Sequence, residues 1–255
     1  MGQELSKQII KNKKVDFVGG FEHKKHKNIN QEFNKISDIN STKLIDSDPT
    51  LSIKSAKVLI DFTTPQSTLE NIKIASQHKT GVVVGTTGMT NSQKKKIKSY
   101  AKNIPILMSS NMSLGVNLLF NLVHQTAHVL KDSDYDIEIS ETHHKHKKDA
   151  PSGTALSLGE YAAKGRKNLL NKSKVLDRTK KLTSRKKGDI GFSVIRGGEI
   201  AGEHTVSFIG ENDRVDLVHK ANNRSIFVKG ALDAAIFLSK KKSGLYTMND
   251  LLFSK

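Results

Sequence analysis

The chain has no cysteine, which excludes disulfides and thiolate catalysis and suits a cytoplasmic protein. No apolar run is long enough to span a bilayer, and the polar N-terminus lacks a signal-peptide core, so no membrane partner is expected. Aromatic residues amount to 5% and arginine is scarce beside lysine, which leaves little for stacking on bases or forking onto phosphates. Acidic residues are outnumbered, 25 against 42 lysines and arginines, for a formal net charge of +17. Alone, that charge invites a nucleic-acid reading. The lysines, however, are spread through every segment beside abundant Asn, Ile and Ser, as AT-rich coding bias produces. No nucleic-acid partner is expected.

At 255 residues and 36% hydrophobic content the chain can bury a sizeable core, in one large domain or two smaller ones. Its first half alternates helices and strands. Leu5, Ile9 and Ile10 share a helical face within residues 2–12, and a short apolar segment follows at 15–20. Residues 57–62 form a continuous apolar run, as expected of a parallel strand covered on both faces. Thr63 or Thr64 with Pro65 opens a helix carrying Leu69, Ile72 and Ala75. Residues 81–85 read as a buried strand, 90–103 as a lysine-rich helix and 104–108 as a further strand. This order predicts an α/β fold built on a doubly wound parallel sheet. The second half predicts a helix at 115–131, an alternating strand at 134–141 and a helix at 153–168. Strands at 190–196, 203–209 and 214–220 then imply an antiparallel or mixed sheet backed by helices, and a last helix at 227–240 returns to the first domain. The lysine-rich stretch 171–187 has few apolar anchors and reads as a mobile surface loop.

In a parallel sheet, function sits at the carboxyl ends of the strands. Three polar turns lie there. Gly85, Thr86, Thr87 and Gly88 follow one strand, offering tight turns, close backbone approach and hydroxyls. Ser109, Ser110, Asn111 and Met112 follow another, and Glu22 with His23 follows the segment 15–21. An acidic residue at that last place is positioned to accept hydrogen bonds from a ribose. The densest cluster is Glu141-Thr142-His143-His144-Lys145-His146-Lys147-Lys148-Asp149-Ala150-Pro151-Ser152-Gly153-Thr154, directly after the alternating strand. Crowded lysines repel one another, and a small dianion would relieve them. The histidines also suggest a metal, but neighbours on a strand point to opposite faces. With no cysteine ligand and no obvious completing carboxylate, no metal is expected.

The same stretch resembles the signature E-A-H-H-x-x-K-x-D-A-P-S-G-T-A of the 4-hydroxy-tetrahydrodipicolinate (dihydrodipicolinate) reductase family. Further matches are Ile-Asp-Phe-Thr-Thr-Pro at 60–65, Gly-Thr-Thr-Gly at 85–88 and Asn-Met-Ser-Leu-Gly-Val-Asn at 111–117. Arg-Gly-Gly-Glu-Ile-Ala-Gly-Glu-His-Thr-Val at 196–206 and Gly-Leu-Tyr-Thr-Met-Asn-Asp at 244–250 complete them. The resemblance implies an NADPH- or NADH-dependent reduction of a cyclic imine dicarboxylate to tetrahydrodipicolinate, in lysine and diaminopimelate biosynthesis. It implies a Rossmann-like cofactor domain (residues 1–114 with 224–255) and an α+β mixed-sheet domain (115–223) for substrate binding and homo-oligomerisation, usually as a tetramer. By position, His143 is the proton donor or acceptor and Lys147 the second catalytic residue. His144, Gly153 and Thr154 would hold the substrate, and Met1, Glu22, His23, Gly85, Thr86, Thr87, Ser109, Ser110, Asn111 and Met112 the cofactor. Reduction of a conjugated imine leaves an electron-rich enamine that must gain a proton, for which histidine is suited near neutral pH. Backbone N–H groups at Ser152–Thr154, opening the next helix, would bind an anion. Arg196 and His204 are read as structural.

The sequence departs from the family pattern in two places. The family opens with a strand and a phosphate loop of the form G-x-x-G-R-M-G, and Met1-Gly2 matches only its end. Translation starting further upstream is the preferred explanation. The alternative is an inactive or weakly active truncated copy that keeps only the oligomerising substrate domain. After Glu22, where the family often has arginine, stand His23, Lys24 and Lys25, so the choice between NADH and NADPH stays open.

Overall fold

The computed structural model describes residues 1–36, 40–179 and 184–254. In chain order the elements are α1 (Gly2–Lys11), β1 (Gly20–Phe21), α2 (Phe33–Ile36), β2 (Ile45–Asp46), α3 (Pro49–Ser55), β3 (Val58–Asp61), α4 (Pro65–Gln77), β4 (Gly81–Val84), α5 (Asn91–Tyr100), β5 (Pro105–Met108) and α6 (Leu114–Val129). Then follow β6 (Asp136–His143), α7 (Gly153–Gly165), α8 (Leu170–Ser173), β7 (Lys174–Val175), β8 (Ile190–Arg196), β9 (Glu203–Ile209), β10 (Arg214–Lys220), α9 (Ser225–Leu238), β11 (Gly244–Tyr246) and α10 (Met248–Leu252). The chain forms two compact units: Met1–Ser113 with Ser225–Lys255, and Leu114–Arg224.

The first unit is a Rossmann-like α/β structure. Its main sheet runs β11-β5-β4-β3, all parallel. Val82, Val84 and Ile106 pack with Ile53, Ile72, Ala75 and Ile97 from α3, α4 and α5, and α9 lies against β3, β4 and β5. Helix starts follow local chemistry. Thr64 caps α4 ahead of Pro65, and Thr90 forms a reciprocal capping box with Gln93 on α5. Strand β4 is buried throughout, as its valines predict. Strand β3 is not: Val58, Leu59 and Ile60 are only half-buried, because β3 is an edge of its sheet rather than an interior strand. The apolar segment at 15–20 contributes only the two-residue β1, which pairs in parallel with β2 as a separate small sheet. Among the described residues no strand joins the two sheets.

The second unit is a mixed sheet, β10-β9-β6-β8-β7, with β6 and β8 parallel and β9 antiparallel to both of its neighbours. All three strands expected at 190–220 are present with the predicted limits. Helices α6 and α7 cover one face. Ile137 and Ile139 of β6 meet Phe208 and Val206 on β9 and Ile190 and Phe192 on β8, and these pack with Phe120, Val123, Leu158 and Ala162. Burial along β6 alternates without a break, the period-two pattern of a strand with one covered face. The described parts of the stretch 171–187 are better anchored than its composition suggests. Leu170 docks on the core, β7 pairs with β8, and Arg185 reaches Glu138 and the Ile137 carbonyl; residues 180–183 lie outside the described residues.

Candidate active site

The covered face of β6 changes character along its length. After Ile137 and Ile139, the next residues on that face are Glu141 and His143. Register sets Glu141 opposite His204 of β9 and His143 opposite Arg196 of β8. Four polar side chains thus continue a face that is apolar one turn of the pleat earlier. Glu141 is 1% exposed, His204 5% and His143 8%, so each requires partners.

The partners are present. Glu141 Oε2 lies 2.5 Å from His143 Nδ1. Arg196 forks onto the same carboxylate, at 2.7 Å to Oε2 and 2.8 Å to Oε1, and also donates to the Asp149 carbonyl at 2.7 Å. The backbone N–H of Ser152 donates to Glu141 Oε1 at 2.8 Å. Ser152 caps α7 through Ala155 N–H, and its hydroxyl sits 3.1 Å from His204 Nε2. The rings of His143 and His204 meet edge to face, centroids 5.1 Å apart. Lys147 Nζ donates to Asp149 at 2.8 Å.

Electrostatics follow from this packing. Burial alone would raise the Glu141 carboxyl, but Arg196, His143 and the Ser152 N–H together hold it below the usual range. It is therefore ionised and can only accept, so His143 Nδ1 must carry a hydrogen. Burial lowers the pKa of His143; Glu141 opposes this, and the charges of Lys147 and Arg196 add to it. Burial, reinforced by the charge of His143, lowers His204 to about 4. The free nitrogen of His143, Nε2, lies against Gly202, a residue at φ +152° where a Cβ would come within 2.9 Å of it.

The other sequence-singled residues of this unit separate into two groups. Gly153 is exposed, with open space around it, and with Thr154 forms the first turn of α7 next to Ser152. The Ser152 N–H is spent on Glu141, which corrects the expectation that it too would bind an external anion. His144 leaves the strand, its Nε2 3.2 Å from Arg224. His146 and Lys145 are well exposed and pair with Glu199. Arg196 and His204, read as structural, instead complete the His143 cluster. Only strand register reveals this, since they lie far away in sequence.

In the first unit, β3, β4 and β5 end on one edge, as parallel strands must. Asp61, buried at 2% exposure, accepts from Thr63 N–H and Oγ1, Thr68 Oγ1, Thr86 Oγ1 and Asn71 Nδ2. This fixes Thr86 while leaving Thr87 exposed. Gly85 lies against Phe62, whose ring a Cβ would overlap. After β5, the Asn111 carbonyl accepts from Ser109 Oγ at 2.7 Å and Asn111 Oδ1 accepts from Ser113 N–H at 2.9 Å, while Ser110 is exposed and Met112 buried. Gly230 of α9 passes so close to the Met112 carbonyl that no side chain fits there. Glu22 and His23, after β1, are exposed, and His23 N–H donates to Glu22 Oε1 at 2.9 Å. Met1 stands at the start of α1, whose first turn has no side-chain cap.

Comparison with known proteins places this architecture. The family model "Dihydrodipicolinate reductase, N-terminus" matches residues 1–112, and "Dihydrodipicolinate reductase, C-terminus" matches 115–252. A 4-hydroxy-tetrahydrodipicolinate reductase of Polynucleobacter necessarius subsp. necessarius is 39% identical over 252 residues, covering 99% of this chain and 94% of its own. The enzyme of the same name from Agrobacterium fabrum is 48% identical over 208 residues, or 82% of this chain and 76% of its own. A dipicolinate-bound dihydrodipicolinate reductase from Paenisporosarcina sp. TG-14 shares the fold, with a TM-score of 0.77 at 23% identity over 97% of this chain and 94% of that one. These matches extend through both units and do not favour the inactive-copy alternative.

Proposed function

The chain belongs to the dihydrodipicolinate reductase family, NAD(P)H-dependent oxidoreductases that reduce 4-hydroxy-tetrahydrodipicolinate to tetrahydrodipicolinate, and we propose that it does so with His143 and Lys147 as its catalytic residues. The observation that carries this assignment is the ionised Glu141 bonded to His143 Nδ1, which leaves Nε2 as the atom that exchanges a proton with substrate. Lys147, near enough for its charge to depress His143, is placed to offset substrate charge. Gly153 and Thr154, at the positive end of α7, receive one carboxylate. His144, backed by Arg224, contacts the substrate beside them.

The first unit fits a dinucleotide. Gly85 allows close backbone approach, and the Asp61 network presents the Thr86–Thr87 turn at the carboxyl edge of the sheet. Gly85, Thr86, Thr87 and the Ser109–Met112 turn would hold the nicotinamide half. Glu22 and His23 would hold the adenosine ribose, and the uncapped first turn of α1 at Met1 the phosphates. When bound, the nicotinamide supplies the hydride. Glu22 favours a ribose hydroxyl and the exposed Lys24 and Lys25 a 2′-phosphate, which supports use of both NADH and NADPH. Comparing kcat/KM for the two tests this.

The sheet face of the second unit away from α6 and α7 carries Ser193, Ile195 and Val218, exposed, with Thr142 and Thr205 half-buried. The same face also carries ion pairs, Glu138 with Arg178 and Arg185, Arg214 with Asp216, and Lys220 with Glu203. An uncharged patch with isolated aliphatics, bordered by ion pairs, suits sheet-to-sheet packing, and we assign it to a homotetramer. The reductase assignment is tested by adding freshly generated substrate and following oxidation of NADPH and NADH. The expected result is substrate-dependent loss of the reduced nicotinamide; no oxidation with either cofactor overturns it.

A further inference from the structure

Glu141 holds three neighbours in the cluster of the second unit. Its two oxygens receive His143 Nδ1 from its own strand, both amino groups of Arg196 from β8 and the Ser152 N–H ahead of α7. A carboxylate that is 1% exposed would be driven to its neutral form by burial alone. Two charge-assisted bonds from Arg196 prevent that. A neutral carboxyl could donate as well as accept, and the His143 ring would lose its fixed tautomer. A side chain so enclosed does not touch substrate.

We propose that Glu141 and Arg196 form a positioning pair: Glu141 fixes the Nδ1–H tautomer of His143 and aims Nε2 at the Gly202 side, and Arg196 keeps Glu141 ionised. The proposal rests on the reading of His143 as the proton-exchanging group. The pair also couples the site's parts. Arg196 holds the Asp149 carbonyl and Asp149 holds Lys147, so one carboxylate sets the histidine, the lysine loop and the mouth of α7. The arrangement parallels metal-site histidines, whose second nitrogen is likewise held by a carboxylate.

The charged and titratable groups facing His143 are Glu141 on β6, Arg196 on β8, His204 on β9 and Lys147 in the turn after β6. Glu141 favours the imidazolium; Arg196 and Lys147 oppose it. Glu141→Gln removes that anion and should lower the His143 titration. Arg196→Gln leaves the buried Glu141 carboxyl to take up a proton and should lower the titration as well; were Arg196 only a nearby cation, its removal would raise it. Titration followed by ring-nitrogen NMR on the full-length protein, with His143→Gln for assignment, should show a fall of about one pH unit and loss of the fixed Nδ1–H tautomer in both variants. The basic limb of kcat/KM should move with each titration, and kcat in Glu141→Gln should fall about tenfold or more with substrate KM nearly unchanged. No movement, or a rise in Arg196→Gln, overturns the proposal. If Glu141→Gln does not fold, Arg196→Gln decides alone: a fall with loss of the tautomer supports the pair, and a rise or no movement removes it. The NMR titration does not depend on turnover, so failure of the reductase assay and failure of this proposal are separate results.

Discussion

Gly202 and His143 are matched. The glycine, at φ +152°, leaves room for the imidazole, and a Cβ there would stand 2.9 Å from Nε2. Both the backbone conformation and the space exclude other residues. Gly202→Ala should push the ring away from its bonded position on Glu141. The expected outcome is a loss of about a hundredfold in kcat/KM, measured by steady-state kinetics, with a folded protein by circular dichroism. Full activity would show that Nε2 is not the reacting atom.

Lys147→Ala should reduce kcat by about a hundredfold and leave NADPH affinity unchanged, because Lys147 belongs to the second unit and its ammonium bonds to Asp149 there. Calorimetric titration with NADPH checks the second half. Loss of cofactor binding would show that the two units do not divide the labour in this way.

Acid should destabilise the protein through its buried histidines. His204 sits at about 4 in the folded state against 6.5 unfolded. Between those values the unfolded chain binds the extra proton, so stability is full above about pH 6.5 and is lost as the pH falls toward 4. His143, also lowered by burial, acts in the same direction. The depressed Glu141 adds a loss at still lower pH, as its carboxylate protonates. Urea unfolding at pH 7.5 and 5 should therefore give a large difference for the parent and a smaller one for His204→Gln. Equal differences would count against a buried, neutral His204.

Asp61→Asn replaces an acceptor-only group with one that brings two donors to a site already filled by Thr63, Thr68, Thr86 and Asn71 donors. The threonine hydroxyls can turn, whereas the Thr63 N–H and the Asn71 amide cannot both be satisfied. A stability loss of about 2–4 kcal/mol is expected, with a raised KM for the nicotinamide from the loosened Thr86 turn. Denaturant unfolding and cofactor kinetics measure both.

Ile195→Asp with Val218→Asp places charge on the open sheet face, at positions 55% and 50% exposed in the single chain. If that face joins subunits, light scattering should show a smaller species than the parent. An unchanged mass would assign the face to solvent.

Much of this was legible in the residues. Residues 81–85 read as a buried strand, and Thr63 or Thr64 with Pro65 announced a helix by its start chemistry, with Thr64 the residue that caps it. Alternation at 134–141 pointed to β6, which runs two residues later, from Asp136 to His143, and the limits of β8, β9 and β10 were read directly. Burial of β3 was misjudged because an apolar run does not reveal whether both neighbours are present. The described parts of the 171–187 stretch are better anchored than composition implied, because anchors as few as Leu170 and β7 suffice when a core and a strand edge are available.

His143, Lys147, Gly153 and Thr154 lie within fourteen consecutive residues that carry their own chemical signature, so the sequence by itself determined the family, the class of reaction and the centre of the proposed site. It did not determine what surrounds His143. Arg196 and His204 reach it only because β8 and β9 flank β6 in one particular register. Burial then turns Glu141 from one more strand residue into an ionised anchor for the ring. Register and dielectric are properties of the assembled sheet, and only tertiary structure decides them.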